Sequence, residues 1–316
     1  MGVIASLAVQ AIQMLLVLLL APLLTGLVRR IKAHLLRRRG ASPLQPYRDL
    51  LRLLRKEAVL AHNASWLFRS TPYMLFAATW VAAALVPTFA TGLQFSWSAD
   101  LIVVIALLGS GRFFLALAGM DIGTSFGGIG ASREMMIASL AEPAMIMIVF
   151  SLALLAGSTQ LSHLAGFMTS VGLRVSLALA LIALVMVAIA ENGRIPIDNP
   201  ATHLELTMVH EAMVLEYSGR HLALIELSSS LKLLLYMSLI GCVFLPWGLA
   251  APDSGFADHI AGILAYLVKL AVGAVLLALF ETMIAKMRVF RVPDFLGAAL
   301  MLSLLGTLLL FVSGSL

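Results

Sequence analysis

One cysteine, Cys242, stands in a chain of 316 residues. A lone thiol excludes an intrachain disulfide. It also excludes an iron–sulfur cluster or a nickel site held by this chain's own thiolates. Charge is scarce too: 12% of the residues are charged and 61% hydrophobic, with mean hydropathy +1.02. A soluble domain carries about 25% charge, so the composition is that of a chain made for a bilayer. No Lys or Arg precedes Arg29. The first apolar run therefore lacks the charged start of a cleaved secretory signal and reads as a span. Repeats, low-complexity tracts and long polar extensions are missing as well. The expectation is one integral membrane domain over residues 1–316, with no room for a catalytic head.

What is present is a series of long apolar runs. A spanning helix needs roughly 20 apolar residues, and eight stretches qualify: about 3–28, 72–91, 100–120, 135–157, 171–190, 227–250, 260–284 and 294–314. The runs are continuous rather than alternating, which excludes a barrel of strands. The fold class is all-α, polytopic, with about eight transmembrane helices. Eleven of the 21 Lys and Arg lie between Arg29 and Arg69, which marks that loop as cytoplasmic. Alternation puts 121–134, 191–226 and 285–293 on the same side, adding Arg133, Arg194, Arg220, Lys286, Arg288 and Arg291. The opposite loops, about 92–99, 158–170 and 251–259, carry no Lys or Arg. Both termini are then expected outside a prokaryotic cytoplasmic (inner) membrane.

Within the amphipathic cytoplasmic segment 29–70, GASPLQP is followed by YRDLLRLLRKEAVL. Leu50, Leu51, Leu53, Leu54 and Val59 recur at helical spacing between Arg48, Arg52, Arg55 and Lys56. This is a short amphipathic helix, lying at the interface or packed on the bundle.

The acidic residues are distributed unevenly. Of 16 in the chain, Glu191, Asp198, Glu205, Glu211 and Glu216 fall in AENGRIPIDNPATHLELTMVHEAMVLEYSG at 190–219, and Glu226 follows closely. Gly193, Pro196 and Pro200 punctuate the cluster where the backbone must turn. Arg112, Asp121, Glu142, Lys232, Lys269 and Glu281 fall within or at the ends of spans. Each costs about 2.5–3.5 kcal/mol facing lipid unpaired, so they are expected to face the interior, as ion pairs or along a hydrated polar path. Glu142 precedes Pro143, where a freed carbonyl and water can meet a carboxylate. Its alternatives are a proton-relay role or a salt bridge to Arg133 or Arg112. His203 and His210 with Glu211 imitate a metal site only weakly, and no metal is expected. GIGAS at 128–132 has neither a preceding strand nor a following Lys-Ser/Thr. It is not a nucleotide loop, and its glycines suit a tight turn approaching a partner.

Three blocks carry a family resemblance. They are RRRGASPLQPYRDLLRLLRKE at 37–57, IGASREMMIASLAEP at 129–143 and the 190–219 loop. Together they resemble the membrane subunit of respiratory complex I that forms the quinone chamber and docks the soluble arm. They resemble still more the equivalent subunit of membrane-bound nickel-iron hydrogenases of the formate hydrogenlyase type. Arg133 and Glu142 fall on the family's Arg and its buried Glu about nine residues later. Glu191, Arg194, Pro196, Asp198, Pro200, Glu205, Glu216, Tyr217, Ser218 and Gly219 fall on matching positions of the third loop. Departures exist: Ala201 and His203 stand where the quinone-reducing branch usually has Glu. An extra helical turn supplies His210 and Glu211, and KMRVFRVPDF matches the family's arginine-rich ending only loosely. They favour the hydrogenase branch.

The resemblance implies a membrane-anchor and coupling subunit. Its partners would be a hydrogenase-like large subunit and an iron–sulfur small subunit on the cytoplasmic face, with antiporter-like subunits in the membrane and no nucleic acid. Nickel-iron and iron–sulfur centres are expected in those partners, and no cofactor in this chain. Electron transfer in the arm would be linked to proton or sodium movement through Glu142, Glu191, Asp198, Glu205, Glu211, Glu216, Lys232, Lys269 and Glu281. Arg133, Arg194, Asp49 and Glu57 would act as charge partners or docking groups. The rival readings are a quinone-binding subunit of a complex I-type dehydrogenase, a free-standing transporter, and a scaffold that moves no ion.

Overall fold

A computed structural model describes the chain except residues 1–2, 172–173, 199–207, 252–253, 286, 289–290 and 315–316. Among the described residues there are eleven helices and no strand: α1 Val3–Leu35, α2 Gln45–Leu54, α3 Trp66–Leu85, α4 Leu101–Asp121, α5 Ser125–Ala156, α6 Leu161–Val171, α7 Val175–Glu191, α8 His210–Val214, α9 Gly219–Val243, α10 Phe256–Met283 and α11 Val292–Gly314. Six of them, α1, α4, α5, α9, α10 and α11, are long and apolar enough to cross a bilayer, and α7 is a shorter apolar helix. With α3 these are the eight runs expected from sequence. The protein is an all-α, polytopic membrane protein.

Local chemistry sets the ends. Ser65, Asp100 and Thr124 cap α3, α4 and α5, accepting from the backbone N–H groups of Leu67, Ile102 and Gly127, which orphan helix donors require. At the far end of α3, Gln13 Nε2 donates to Ala84 O (3.0 Å) and Val86 O (2.9 Å), and Gln10 Nε2 to Ala84 O (3.0 Å). Two glutamines buried in α1 thus satisfy carbonyls that no water in lipid would reach.

Several boundaries differ from the expectation, among them the starts of α3 at Trp66 and of α5 at Ser125, earlier than 72 and 135. Helix α1 continues past Val28 to Leu35, with Lys32 and His34 in its last turn, where cations favour the helix dipole. Helix α3 ends at Leu85, ahead of Pro87. Helix α9 begins at Gly219, so its polar first turns stand out of the apolar zone, and it stops at Val243, ahead of Pro246. The stretch read as loop 158–170 holds α6, whose buried Leu161, Leu164, Ala165 and Met168 follow helical spacing.

The helices pack with α3 against α4 and α9, α5 against α4, α7 and α11, and α1 against α9 and α10. Connections gather at two ends. Single bridges Ala90–Ala250 and Asp100–Gln160 tie together the loops of one end, and Arg174, the N-cap of α7, stands at that end. The loop read as free of basic residues is therefore followed by one Arg. The other end holds α2, α8 and the acidic segment. Helix α2 packs on α1 and α9 with Pro46 buried, while Leu51 and Leu54 stay exposed. It is packed on the bundle and still offers leucines outward.

Candidate functional site

The described parts of the acidic segment, 191–198 and 208–219, fold against the bundle end because small residues admit them. Helix α8 lies across α5 at Gly130, where a Cβ would come within 2.9 Å of Ala212 Cβ and of Val209 O. GIGAS is therefore not a turn. It is the start of α5, and its second glycine is the seat of α8. At the other end of the segment, Ser218 Oγ accepts from Val59 N and donates to Val59 O, both at 2.8 Å. Gly219 has φ +52, and a Cβ there would meet Glu57 O at 2.5 Å, so only glycine fits. Tyr217 stacks on Phe68 with ring centroids 3.9 Å apart and donates to Phe68 O at 3.1 Å. These contacts pin the acidic segment to the first basic loop.

Beneath it, two ion-pair clusters reach into the bundle. In the first, Glu191 at the end of α7 is 2% exposed. Its Oε1 lies 2.7 Å from Arg112 Nη1 of α4 and its Oε2 lies 2.9 Å from Lys232 Nζ of α9. Both contacts are charge contacts rather than aligned hydrogen bonds. Arg112, 5% exposed, also comes within 3.7 Å of Glu142 Oε1. In the second cluster, Glu281 of α10 is held by Lys32 of α1 at 3.0 Å and by Arg194 at 3.3 Å. Each carboxylate thus bridges two cations from two further elements. This is the arrangement in which buried charge is tolerated.

Each cluster borders a cavity. The first cavity, about 50 Å³, is lined by Arg112, Glu134, Glu191, Asp198, His210, Ser228 and Lys232, and has room for about three waters. The second, about 410 Å³, is lined by Arg29, Lys32, Arg194, Asp198, Glu211, Glu226 and Glu281. Asn192, Gly193, Asp198 and His210 belong to both walls. Asp198 Oδ2 accepts from Val209 N at 3.3 Å. Burial, and after it the Lys232 charge, lowers the His210 pKa to about 4, so its imidazole is neutral near pH 7.

The structure thus brings together Glu142, Glu191, Asp198, Glu211, Lys232, Arg194 and Glu281. It does not bring in Lys269, which lines neither cavity and stands roughly 18 Å of helix rise from Glu281 on α10. Glu142 is not the buried carboxylate of α5. Its side chain is 46% exposed, and Glu134, at 9%, takes the interior place. Arg133 donates to Met208 O at 2.9 Å. Asp49, Glu57 and Glu216 lie at the surface. Glu205, Ala201 and His203 lie outside the described residues. Among those described, no group of three metal ligands occurs.

Sequence reading missed Glu134 and Lys32. For Glu134 a signal existed. It falls in phase with Gly127, Gly130, Ala131, Ala138 and Ala141, the buried face of α5, while Glu142 is one residue out of phase.

The model of the family described as NADH dehydrogenase matches residues 8–312. The chain belongs to this family. It is 34% identical to formate hydrogenlyase subunit 4 of Escherichia coli (strain K12), over 89% of this chain and 91% of that one. It is 36% identical to hydrogenase-4 component C of the same organism, over 87% of each. NADH-ubiquinone oxidoreductase chain 1 of Triticum aestivum is more distant, 27% identical over 72% of this chain and 73% of that one. A chain of the membrane-bound sulfane sulfur reductase, an archaeal respiratory membrane complex, has the same fold. Its TM-score is 0.81 over 98% of this chain and 99% of that chain, at 19% identity. The protein is a membrane subunit of a respiratory-type complex, on the hydrogenlyase and hydrogenase-4 side of its family.

Proposed function

We propose that this chain anchors a soluble hydrogenase-like arm to the membrane and couples that arm's electron transfer to proton or sodium movement. The arm would consist of a nickel-iron large subunit and an iron–sulfur small subunit, seated on the cytoplasmic end that carries α2, α8 and the acidic segment. Antiporter-like subunits would lie beside it in the membrane, and both termini would face outward. The observation that carries the reading is the run of charged groups. It passes from Glu211, Asp198 and His210 at the loop end, through the shared cavity wall, to Glu191 between Arg112 and Lys232 inside the bundle.

The coupling is electrostatic. A change of charge in the arm above the segment shifts the proton affinity of Asp198 and Glu211. The shift loosens one of the two cations on Glu191, and a freed cation in a low-dielectric site acts strongly on its neighbours. Glu142, touching Arg112 and half-open to the outside of the bundle, hands the change to an adjacent membrane subunit. Arg194 and Lys32 hold Glu281 as the anchor of the second cavity. Glu216, Glu57 and Asp49, at the surface, are the docking carboxylates.

One observation favours the second reading, a quinone-binding subunit: 410 Å³ lies within the range of small-molecule sites. The walls oppose it, since seven charged side chains line that space and a quinone ring prefers apolar ones. The test is purification through a carboxy-terminal tag in mild detergent, with mass spectrometry and assays of hydrogen evolution and quinone reduction. Co-purification of a cysteine-bearing large subunit with hydrogen activity is expected. Quinone reductase activity with a complex I-like set would select the second reading, and a lone chain would overturn both.

A further inference from the structure

Lys269 stands at the middle of α10, thirteen residues after Phe256 and fourteen before Met283. That is about 20 Å of helix rise from either end, and the hydrocarbon core of a bilayer is about 30 Å thick. A four-carbon stem is too short to carry its ammonium to either surface. The side chain is half-buried and leans on α9. Its Cδ lies 3.8 Å from where a Cβ on Gly241 would stand. One turn on, a Cβ on Gly273 would come within 3.3 Å of Met237 Sδ, also of α9. Lys269 thus lies in a groove between the two helices, with glycines at 241 and 273 in its floor. Leu245, Val268, Val272 and Leu276 stand exposed along the rim.

The lysines of α1 and α9 are both paired, Lys32 with Glu281 and Lys232 with Glu191. Lys269 is not. Among the described residues no carboxylate lies within 4.0 Å of it and no hydrogen bond takes up its ammonium. The titratable group that acts on it is the Cys242 thiol, a weak acceptor that supplies no counter-charge. A cation in a bilayer faces an opposite charge or a wet cavity, and Lys269 lines neither cavity described above. A lipid phosphate lies at the wrong depth. What fits is a carboxylate brought to mid-bilayer by another helix.

We propose that the groove between α9 and α10 receives a transmembrane helix of a neighbouring subunit, and that an Asp or Glu of that helix pairs with Lys269 at mid-bilayer. This rests on the reading above only in setting other subunits beside this chain, and not on any ion being moved. The groove suits a helix. Its glycines let a second backbone come close, and the exposed Val268, Val272 and Leu276 give that helix apolar contact. The pair also selects the neighbour, since a wholly apolar helix in the same place would leave the ammonium covered and unpaired.

The test is photo-cross-linking of the whole assembly in native membranes, with Val272 replaced by the photo-reactive residue p-benzoylphenylalanine and the adduct mapped by mass spectrometry. An adduct on a helix of another subunit is expected, with an Asp or Glu within one turn of it. Lys269→Met is expected to leave this chain at its normal level in the membrane. It should weaken retention of that subunit on the order of a hundredfold, because the facing carboxylate is stranded. Lys269→Glu, combined with a change of that carboxylate to Lys, is expected to restore retention, which a packing role alone would not do. An adduct on lipid or on a second copy of this chain overturns the proposal, and so does full retention in Lys269→Met. A chain that purifies alone overturns the assembly reading as well. Neighbours that co-purify while the adduct sits on lipid sink this proposal alone.

Discussion

Replacing Glu191 by Gln keeps the shape of the side chain and removes the charge that two cations share. Arg112 Nη1 and Lys232 Nζ lie 2.7 and 2.9 Å from its oxygens, in a site where the glutamate is 2% exposed. Removing one partner of a buried pair costs about 3–5 kcal/mol, because the remaining charge is stranded out of water. That is roughly two to nearly four powers of ten in the folded-to-unfolded ratio. Arg112 keeps Glu142 at 3.7 Å, which places the expected loss toward the lower end. The assay is detergent-driven unfolding of the purified chain in mixed micelles, followed by tryptophan fluorescence. A second variant separates charge from shape. Adding Lys232→Met to Glu191→Gln removes one stranded cation, and it should recover about half of the loss. If the single and double variants unfold at the wild-type midpoint, the pairs do not hold these helices and the reasoning fails.

Further outcomes follow from the same geometry. Glu142→Gln should cost only about 1 kcal/mol, since Glu142 is half-exposed and Arg112 keeps Glu191 at 2.7 Å, and should lower ion-coupled activity with the assembly intact, which ion-flux assays on the purified complex will read. Gly219→Ala forces a Cβ onto Glu57 O and imposes φ +52 on a side chain. It should release the basic loop, seen as faster proteolysis between residues 37 and 69 and loss of the soluble partners. For His210, the unfolded value near 6.5 falls to about 4 in the fold. The unfolded chain therefore takes up the proton first. Stability present above pH 6.5 is lost as pH falls toward 4, and His210→Gln should flatten that slope in a melting series.

The spans were legible because lipid demands long uninterrupted apolar runs, although the expected runs 72–91 and 227–250 overran Pro87 and Pro246, ahead of which the two helices stop. The paired charges were legible as a class, since Arg112, Lys232 and Glu281 have no business in lipid alone. Their partners were not. Nothing in the spacing of Lys32 and Glu281, on the first and tenth helices, tells of a contact that only tertiary packing creates. Helix α6 hid in a loop because eleven residues are too few to register as a span. Glu142 outweighed Glu134 in the sequence because Pro143 follows it, although helical phase favoured Glu134. Helix α9 was cut short for the opposite reason: its first turns are polar, yet they continue a helix that rises out of the apolar zone.

The central claim is that the Glu191 cluster links electron transfer in a soluble arm to ion movement in the membrane. The direct measurement is reconstitution of the tagged assembly into proteoliposomes, with hydrogen evolution and a pH- or sodium-sensitive dye recorded together for the wild type and Glu191→Gln. The account predicts that the variant, once assembled, still evolves hydrogen but builds no ion gradient. A gradient of wild-type size for the same hydrogen evolved would contradict it.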